Sequence, residues 1–444
     1  MEEDLLSPSS VPADELSTIA TSKHPCMKSS WSDLPNDLLL IVLQRLQLPH
    51  ILAFAAVCTS WYSAAATTGV LPCQVPWLMY LATKGDVPHK PVTKEFRRLH
   101  NPDKTYKISS PWGYFQHYCG ASHGWLAASD EISNLVLYNP FSSAMIHLPP
   151  ITDFACIRAV FRSEGSIKGY LFGGGYLFGG QGTCVDATHL GKWFYQKIAL
   201  SCAPSQGGDH CIVMTIHHDC DWLSYAKVGG GNWHVASVIN SREDSYVDCI
   251  YHAGKFYTLT MKGMIEMWDI DGSCELRNKM IITNKDQRRL TKMDQDRVLT
   301  RYLVSTPWGD LLQVRLLLVH PRDKCPINVK VKIGRVDLGG CGMMDLEPET
   351  ALRGHAAFLG RNQSACLPAK KFQELRPNCI YMTTPFLRQE EFFDNRLRRL
   401  WGATIYDLEN WTLEDAYPSS GYDYTYSPFV LIWITPNHCS ELLE

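Results

Sequence analysis

The sequence contains no long hydrophobic run. Apolar stretches such as residues 429–434 (FVLIWI) have the length of a strand, whereas a membrane-spanning helix needs about 20 apolar residues. The first ten residues, MEEDLLSPSS, are acidic and lack the basic start and apolar core of a signal peptide. We therefore expect a protein of the cytoplasm, the nucleus or both, with no membrane partner.

The sequence also lacks a cysteine framework and a strong net charge. Its 16 cysteines are scattered singly without a CxxC pair, so we expect a reducing compartment in which they act mostly as small buried hydrophobes. The formal net charge of -3 gives no electrostatic reason to expect a nucleic-acid partner.

Common motifs of zinc-dependent catalysis and nucleotide binding are absent as well. There is no HExxH or P-loop pattern. The glycine-rich stretch 170–182 has no Gly-Lys-Ser/Thr after it, and the group from His217 to Asp221 has no second ligand pair for zinc. We predict a flexible hairpin at the first place and a polar turn between strands at the second. The expectation is a protein that is not an enzyme and has no cofactor and no metal.

Residues 31–61 have the apolar spacing of two short helices. Ser32-Asp33 with Pro35 just after them marks the start of the first helix. The pair Leu48-Pro49 is predicted to end it, because the residue before a proline is pushed out of the helical region. Helices this short are marginal alone, so either the rest of the chain or another protein must cover them.

This stretch resembles the F-box, a helical module of about forty residues. The resemblance implies docking on a Skp-type adaptor and, through it, on the cullin of a ubiquitin ligase. Carried over position by position, it implies an adaptor-binding set of Leu34, Pro35, Leu38, Ile41, Val42, Leu46, Val57, Cys58 and Trp61.

Beyond about Lys84 the apolar pattern changes to short runs separated by Gly, Asn and Pro. Such spacing is typical of a repetitive all-β fold. About 330 residues at roughly 40 to 50 per four-stranded blade predict a β-propeller of about six to eight blades. The charged stretch 271–300 is predicted to be a long loop or a disordered excursion from one blade.

The same region resembles the plant KIB-type β-propeller family over most of residues 74–437. The resemblance is carried, in chain order, by QVPWLM (74–79), SHGWL (122–126), LYNPF (137–141), residues 252–257, RYLV (301–304), GDLL (309–312), FLGRNQS (358–364) and NCIYMT (378–383). It implies a propeller that acts as a substrate receptor.

Together these observations predict a disordered tail (1–30), a small all-α F-box (31–70), an all-β propeller (71–438) and a C-terminal tail (439–444). The expected function is the substrate-recognition subunit of a Skp–cullin–F-box ubiquitin ligase with an unidentified target protein. Two alternatives stay open. One is a ligand-binding or enzymatic propeller on which the helices merely pack, and the other is a scaffold with a degenerate F-box. The predicted target-binding loops are 173–182, 284–297 and 389–399.

Overall fold

The computed structural model describes residues 31–46, 48–67, 75–82, 93–99, 105–108, 115, 117–172, 183–204, 210–218, 221–241, 243–282, 298–318, 329–339, 342–383, 400, 402–417 and 431–436. The predicted tails 1–30 and 439–444 and the three predicted target-binding loops lie outside these residues.

The described helices are concentrated at the start of the chain. A 3-10 helix (Trp31–Asp33) is followed by α1 (Asn36–Leu43), α2 (Leu48–Ala55) and α3 (Thr59–Thr67). Two one-turn helices, α4 (Ala187–Leu190) and α5 (Pro348–Ala351), and the 3-10 turns Ile151–Asp153 and Ala369–Lys371 lie between strands further along.

Strands make up most of the remaining described chain, and they form seven sheets. The first sheet contains β1 (Trp77–Ala82), β2 (Thr93–Arg97), β3 (Thr105–Ile108) and β28 (Ile432–Ile434). The second contains β4 (His117–Ser122), β5 (Trp125–Ser129), β6 (Leu135–Tyr138) and β7 (Met145–His147). The third has three described strands, β8 (Ile157–Phe161), β9 (Ile167–Phe172) and β10 (Thr183–Asp186).

The next three sheets are four-stranded antiparallel meanders. They are β11 (Tyr195–Leu200), β12 (Ile212–His217), β13 (Trp222–Lys227) and β14 (His234–Val238); β15 (Tyr246–His252), β16 (Lys255–Thr260), β17 (Ile265–Ile270) and β18 (Leu276–Ile282); and β19 (Val298–Ser305), β20 (Leu311–Leu318), β21 (Val329–Asp337) and β22 (Gly342–Leu346). The last sheet contains β23 (His355–Leu359), β24 (Ala365–Pro368), β25 (Cys379–Thr383), β26 (Ala403–Asp407) and β27 (Thr412–Asp415), with β23 and β25 parallel.

The sheets are arranged as a propeller, which confirms the predicted fold class. Going round the ring, β28, β4, β11, β15, β19 and β24 each lie beside the next. Because β4 and β11 are in direct contact, the sheet β8–β10 places no strand between them. Six sheets therefore supply neighbouring inner strands. The remaining sheet, β8–β10, is an addition that lies between the second and the fourth sheet in the sequence.

The ring is closed by strands from opposite ends of the chain. The C-terminal β28 pairs antiparallel with β1, and Leu78 lies opposite Trp433. Trp433 is buried and packs edge-on against the ring of Phe358, with 5.3 Å between ring centroids. The first sheet therefore requires both termini, and its formation couples the two ends of the propeller.

A short segment, 360–363, reaches from the last sheet to β4 and β11. Asn362 forms a parallel bridge with Ala121, and Gln363 N–H donates to the carbonyl of Ala121 at 2.7 Å. Glycine is required where the backbones meet. A Cβ on Gly120 would lie 2.9 Å from the Arg361 carbonyl oxygen, and a Cβ on Gly360 would overlap the Thr383 hydroxyl. This explains one motif of the propeller resemblance, FLGRNQS.

Two local predictions were wrong. The N-terminal module has three α-helices instead of two. Pro49 does not exclude Leu48 from a helix, because it lies in the first turn of α2, where its missing N–H costs little, and the predicted second helix is interrupted between Ala55 and Thr59. Residues Leu276–Ile282 form strand β18, within the predicted loop 271–300.

Candidate functional site

Helix α1 has two apolar faces. Leu39 and Leu43 are buried. Leu38, Ile41 and Val42 are between 43% and 50% exposed, and their spacing of three and four residues places them side by side on the helix surface. We call these three residues the exposed α1 face. An apolar face that the protein's own fold leaves open is typical of a docking surface.

The opposite side of the helical module packs on the propeller. Helix α2 contacts β3. Its buried residues Ile51 and Phe54 belong to one hydrophobic core together with Trp77 of β1 and Tyr106 of β3. The helices are thus part of the first sheet's core, and this packing accounts for their buried residues but not for the exposed α1 face.

Three residues of the predicted adaptor-binding set support the module from within. Leu34, Leu46 and Trp61 are partly buried against the same core. The Trp61 ring lies 4.3 Å from the Phe54 ring, and its Nε1–H donates to the carbonyl of Trp31 at 3.0 Å. We interpret these residues as holding the helices together, and we expect them to contribute less than the exposed residues to an adaptor-binding surface.

The other members of the set are more open. Pro35 is exposed and directly precedes α1, and its carbonyl accepts the N–H of Leu38 at 3.0 Å. Val57, after α2, is 53% exposed. Cys58 is half-buried, with its Sγ 3.1 Å from the Ser60 hydroxyl, and this hydrogen bond lowers the pKa of the Cys58 thiol.

Sequence reasoning missed Trp31. This side chain is 77% exposed, the highest value among the large hydrophobic residues of the described chain. Its position directly before the helix start signal was the available clue, because a tryptophan there has no neighbouring apolar face to join. Trp31 adds a large apolar contact near the start of the module.

A second candidate site lies where the inner strands meet. A cavity of about 40 Å³ is lined by residues of β11, β12, β15 and β19 and by Arg361. Within its lining, the Gln196 side chain is buried and its Oε1 has no hydrogen-bond partner, whereas its Nε2 donates to the carbonyl of Trp193. The cavity has the size for a few water molecules.

The buried acid beside this cavity is fully engaged by the protein. Asp248 Oδ1 lies 2.6 Å from Lys197 Nζ and accepts the N–H of Cys249. Oδ2 accepts the N–H of Leu303 at 2.7 Å. Burial raises the pKa of the Asp248 carboxyl, and Lys197 counteracts that rise. With both oxygens occupied, the geometry fits a structural ion pair better than an acid–base catalyst.

His117 adjoins the same region and is held neutral. Burial, followed by the charges of Arg361 and Lys192, lowers its pKa to about 3. Its Nε2 lies 3.2 Å from Arg361 Nη1. The neutral ring therefore accepts a hydrogen bond from the guanidinium, which helps to position the segment 360–363.

Part of the predicted polar turn, His217, lies in the protein interior. His217 ends β12, is completely buried, and has its Nε2 2.8 Å from the Ser224 hydroxyl. Its pKa is lowered by burial and then by His218. Asp219 and Cys220 lie outside the described residues. In the described ranges, no group of three or more His, Cys, Asp or Glu side chains could hold a metal ion.

None of the described helices combines the length and the apolar character that a crossing of the bilayer demands.

Comparison with known proteins assigns the two parts of the chain. A family model for the KIB1-4 β-propeller matches residues 95–407, and a model for the F-box domain matches residues 31–70. The chain therefore belongs to the KIB1-4 β-propeller family and carries an F-box, as the resemblances predicted.

Individual relatives agree with this assignment. The F-box protein At4g22660 of Arabidopsis thaliana is 34% identical over 55% of this chain and 58% of its own length. The F-box protein At4g22180 of the same plant is 32% identical over 54% and 55%, respectively. The Arabidopsis F-box/kelch-repeat protein At1g57790 is 34% identical over 30% of this chain and 36% of its own. The alignments to the first two thus span little more than half of those relatives.

Proposed function

We propose that this protein is the substrate-recognition subunit of a Skp–cullin–F-box type ubiquitin ligase. In this role the F-box binds a Skp-type adaptor, which links it to a cullin, and the propeller binds a target protein. The observation that carries the proposal is the exposed α1 face, formed by Leu38, Ile41 and Val42 on a helix whose other side is buried.

The energetics of this surface suit a docking site. Burying the exposed halves of these three side chains would contribute about 1 kcal/mol each. Pro35, Val57 and Trp31 would extend the contact. The partly buried Leu34, Leu46 and Trp61 and the half-buried Cys58 would fix the orientation of the helices. The nine residues of the predicted set would thus divide into contact and support residues.

The propeller would contribute proximity and no chemistry of its own. A receptor that holds a target beside a ubiquitin-loaded enzyme raises the target's effective concentration. Because the helical module shares a core with the first sheet, adaptor and propeller would be held in a defined orientation. A location in the cytoplasm or the nucleus is part of this proposal.

The test is adaptor binding by paired variants of the full chain. Leu38→Asp with Ile41→Asp should abolish co-purification of a Skp-type adaptor, because a charge buried in an apolar interface is strongly penalised. The matched control is Val235→Asp with Ile281→Asp, which changes two residues of similar exposure on β14 and β18, 44% and 47%. The control should bind like the wild type.

Circular dichroism and the unfolding temperature of each variant would show whether the propeller remains folded. Adaptor binding retained by a folded Leu38→Asp/Ile41→Asp variant would contradict the proposal. It would favour the alternatives of a degenerate F-box scaffold or of helices that only pack on the propeller.

A further inference from the structure

Two cysteines face each other at the end of the β11–β12 hairpin. The register pairs Leu200 with Val213, and the N–H of Ser201 donates to the carbonyl of Ile212 at 2.9 Å. One step further, this register places Cys202 opposite Cys211. The N–H of Ile212 donates to the Ser201 hydroxyl at 2.9 Å, so this step of the hairpin is held together from both sides. Residues directly opposite each other in antiparallel sheets have Cα atoms about 4.5 to 5.5 Å apart.

This position suits a disulfide. Disulfides need Cα atoms roughly 4.4 to 6.8 Å apart. The Cys211 side chain already reaches across the hairpin, since its Sγ donates to the carbonyl of Cys202 at 3.2 Å.

The two thiols differ in access to solvent. Cys202 is exposed, whereas Cys211 is buried among the apolar residues that include Leu200 and Val213. Two other cysteines, Cys119 and Cys249, are buried. An oxidant in solution can therefore reach Cys202 directly and has no comparable route to Cys119 or Cys249.

We propose that Cys202 and Cys211 are an oxidation site, a dithiol that hydrogen peroxide converts into a disulfide. The Cys202 thiolate attacks one peroxide oxygen, the O–O bond breaks, and the sulfur becomes a sulfenic acid as one water leaves. The Cys211 sulfur then attacks the Cys202 sulfur, and the Cys211 thiol proton passes to the departing sulfenic hydroxyl group, which leaves as a second water. In total two thiols lose two electrons and two protons, and one peroxide becomes two waters.

The order of the two steps follows from burial. Burial, and then the neighbouring Cys202, raises the pKa of Cys211 to about 12, so the Cys211 thiol stays protonated and does not react first. Once Cys202 is oxidised, the cross-strand position supplies Cys211 at high effective concentration. In a reducing compartment such a bond is transient and is removed by thiol exchange.

The experiment treats the reduced, purified full chain with hydrogen peroxide, blocks the remaining thiols with N-ethylmaleimide, and digests it with trypsin and an Asp-specific protease. Cleavage after Lys197 and before Asp209 and Asp219 separates the cysteines into peptides 198–208 and 209–218. The expected product is these two peptides joined, with a mass about 2 Da below their sum.

Variants keep the proposal open to contradiction. Cys202→Ser changes an exposed side chain and should abolish the linked product, whereas Cys184→Ser, at another exposed cysteine, should leave it unchanged. In Cys211→Ser the sulfenic acid has no resolving thiol, so dimedone labelling of Cys202 should rise above the wild-type level. The proposal is overturned if no linked product forms or if Cys202 links to Cys220 instead. It is also overturned if dimedone labels Cys202 equally in the wild type and in the Cys211→Ser variant.

Discussion

Lys197 on β11 and Asp248 on β15 form a buried ion pair, 2.6 Å between Nζ and Oδ1, that ties four sheets together at the centre of the propeller. Lys197 Nζ also donates to the carbonyl of Gly360 at 2.8 Å, and Asp248 accepts the N–H of Leu303 on β19. One pair of charges thereby fixes the spacing of three inner strands and the segment 360–363.

Lys197→Met should therefore destabilise the propeller. Removing one partner leaves an uncompensated buried charge, which costs about 3–5 kcal/mol. The double variant Lys197→Met/Asp248→Asn should recover part of that loss, because the asparagine carries no charge. Urea unfolding followed by tryptophan fluorescence would measure the midpoints. Equal midpoints for Lys197→Met and the wild type would show that the ion pair contributes nothing to the stability of the propeller.

The same variant should show a characteristic pH dependence. Burial already raises the pKa of Asp248 above its ordinary 3.8, and loss of Lys197 removes the main opposing influence. A carboxyl whose folded pKa is raised favours the folded state when protonated, so its contribution is lost as pH rises through that pKa. The deficit of Lys197→Met should be largest at neutral pH and shrink on acidification. A deficit that is constant with pH would contradict this assignment.

The two faces of α1 should respond differently to truncation. Leu39→Ala removes a fully buried side chain from the shared core and should cost about 2–5 kcal/mol of unfolding free energy. Leu38→Ala should cost less than about 1 kcal/mol, because half of that side chain is already in water. Thermal unfolding of the two variants, with adaptor binding measured in parallel, would separate stability from docking.

Gly360→Ala should destabilise the propeller by about 1–3 kcal/mol, the usual cost of overpacking, because the new methyl group would overlap the Thr383 hydroxyl. That hydroxyl is buried and has no hydrogen-bond partner in the described structure. Thr383→Ala should therefore relieve the overlap, and the double variant should be more stable than Gly360→Ala alone. Additive losses in this double-mutant cycle would show that the two positions are independent.

A chain starting at about residue 71 should be less stable than the full chain. The sequence predicts the propeller as a separate domain, residues 71–438. The structure shows Ile51 and Phe54 packed in one core with Trp77 and Tyr106, so deletion would expose that core to water. We expect a β-type circular dichroism spectrum with a lower unfolding temperature. An unchanged unfolding temperature would show that the helices add nothing to the propeller.

Target recognition remains a prediction about loops 173–182, 284–297 and 389–399. Shortening at least one of them should abolish target capture without loss of adaptor binding, because surface loops tolerate change that packed strands do not. Co-purification of adaptor and target from the same cells would test each deletion. Wild-type target levels in all three deletions would place the recognition surface elsewhere.

The sequence by itself determined the helical start, the change to strand-sized runs and the order of both modules. These features depend on local properties, namely proline position, apolar spacing and turn residues. The turn at Ala253-Gly254, both with positive φ, joins β15 and β16 and is an example of a glycine between two strand-sized runs. The failures at Pro49 and at Leu276–Ile282 arose where local signals were ambiguous or where pairing with β17 outweighed a polar composition.

Only the tertiary structure decided which apolar residues face outward. Leu38 and Leu39 are identical in type and adjacent in sequence, yet one is half exposed and the other lies in the propeller core. Their difference depends on where β1 and β3 lie, and hence on the pairing of β1 with β28 at the far end of the chain. The pairing of Lys197 with Asp248 and of Cys202 with Cys211 likewise depends on strand register, which the spacing of residues along one strand does not contain.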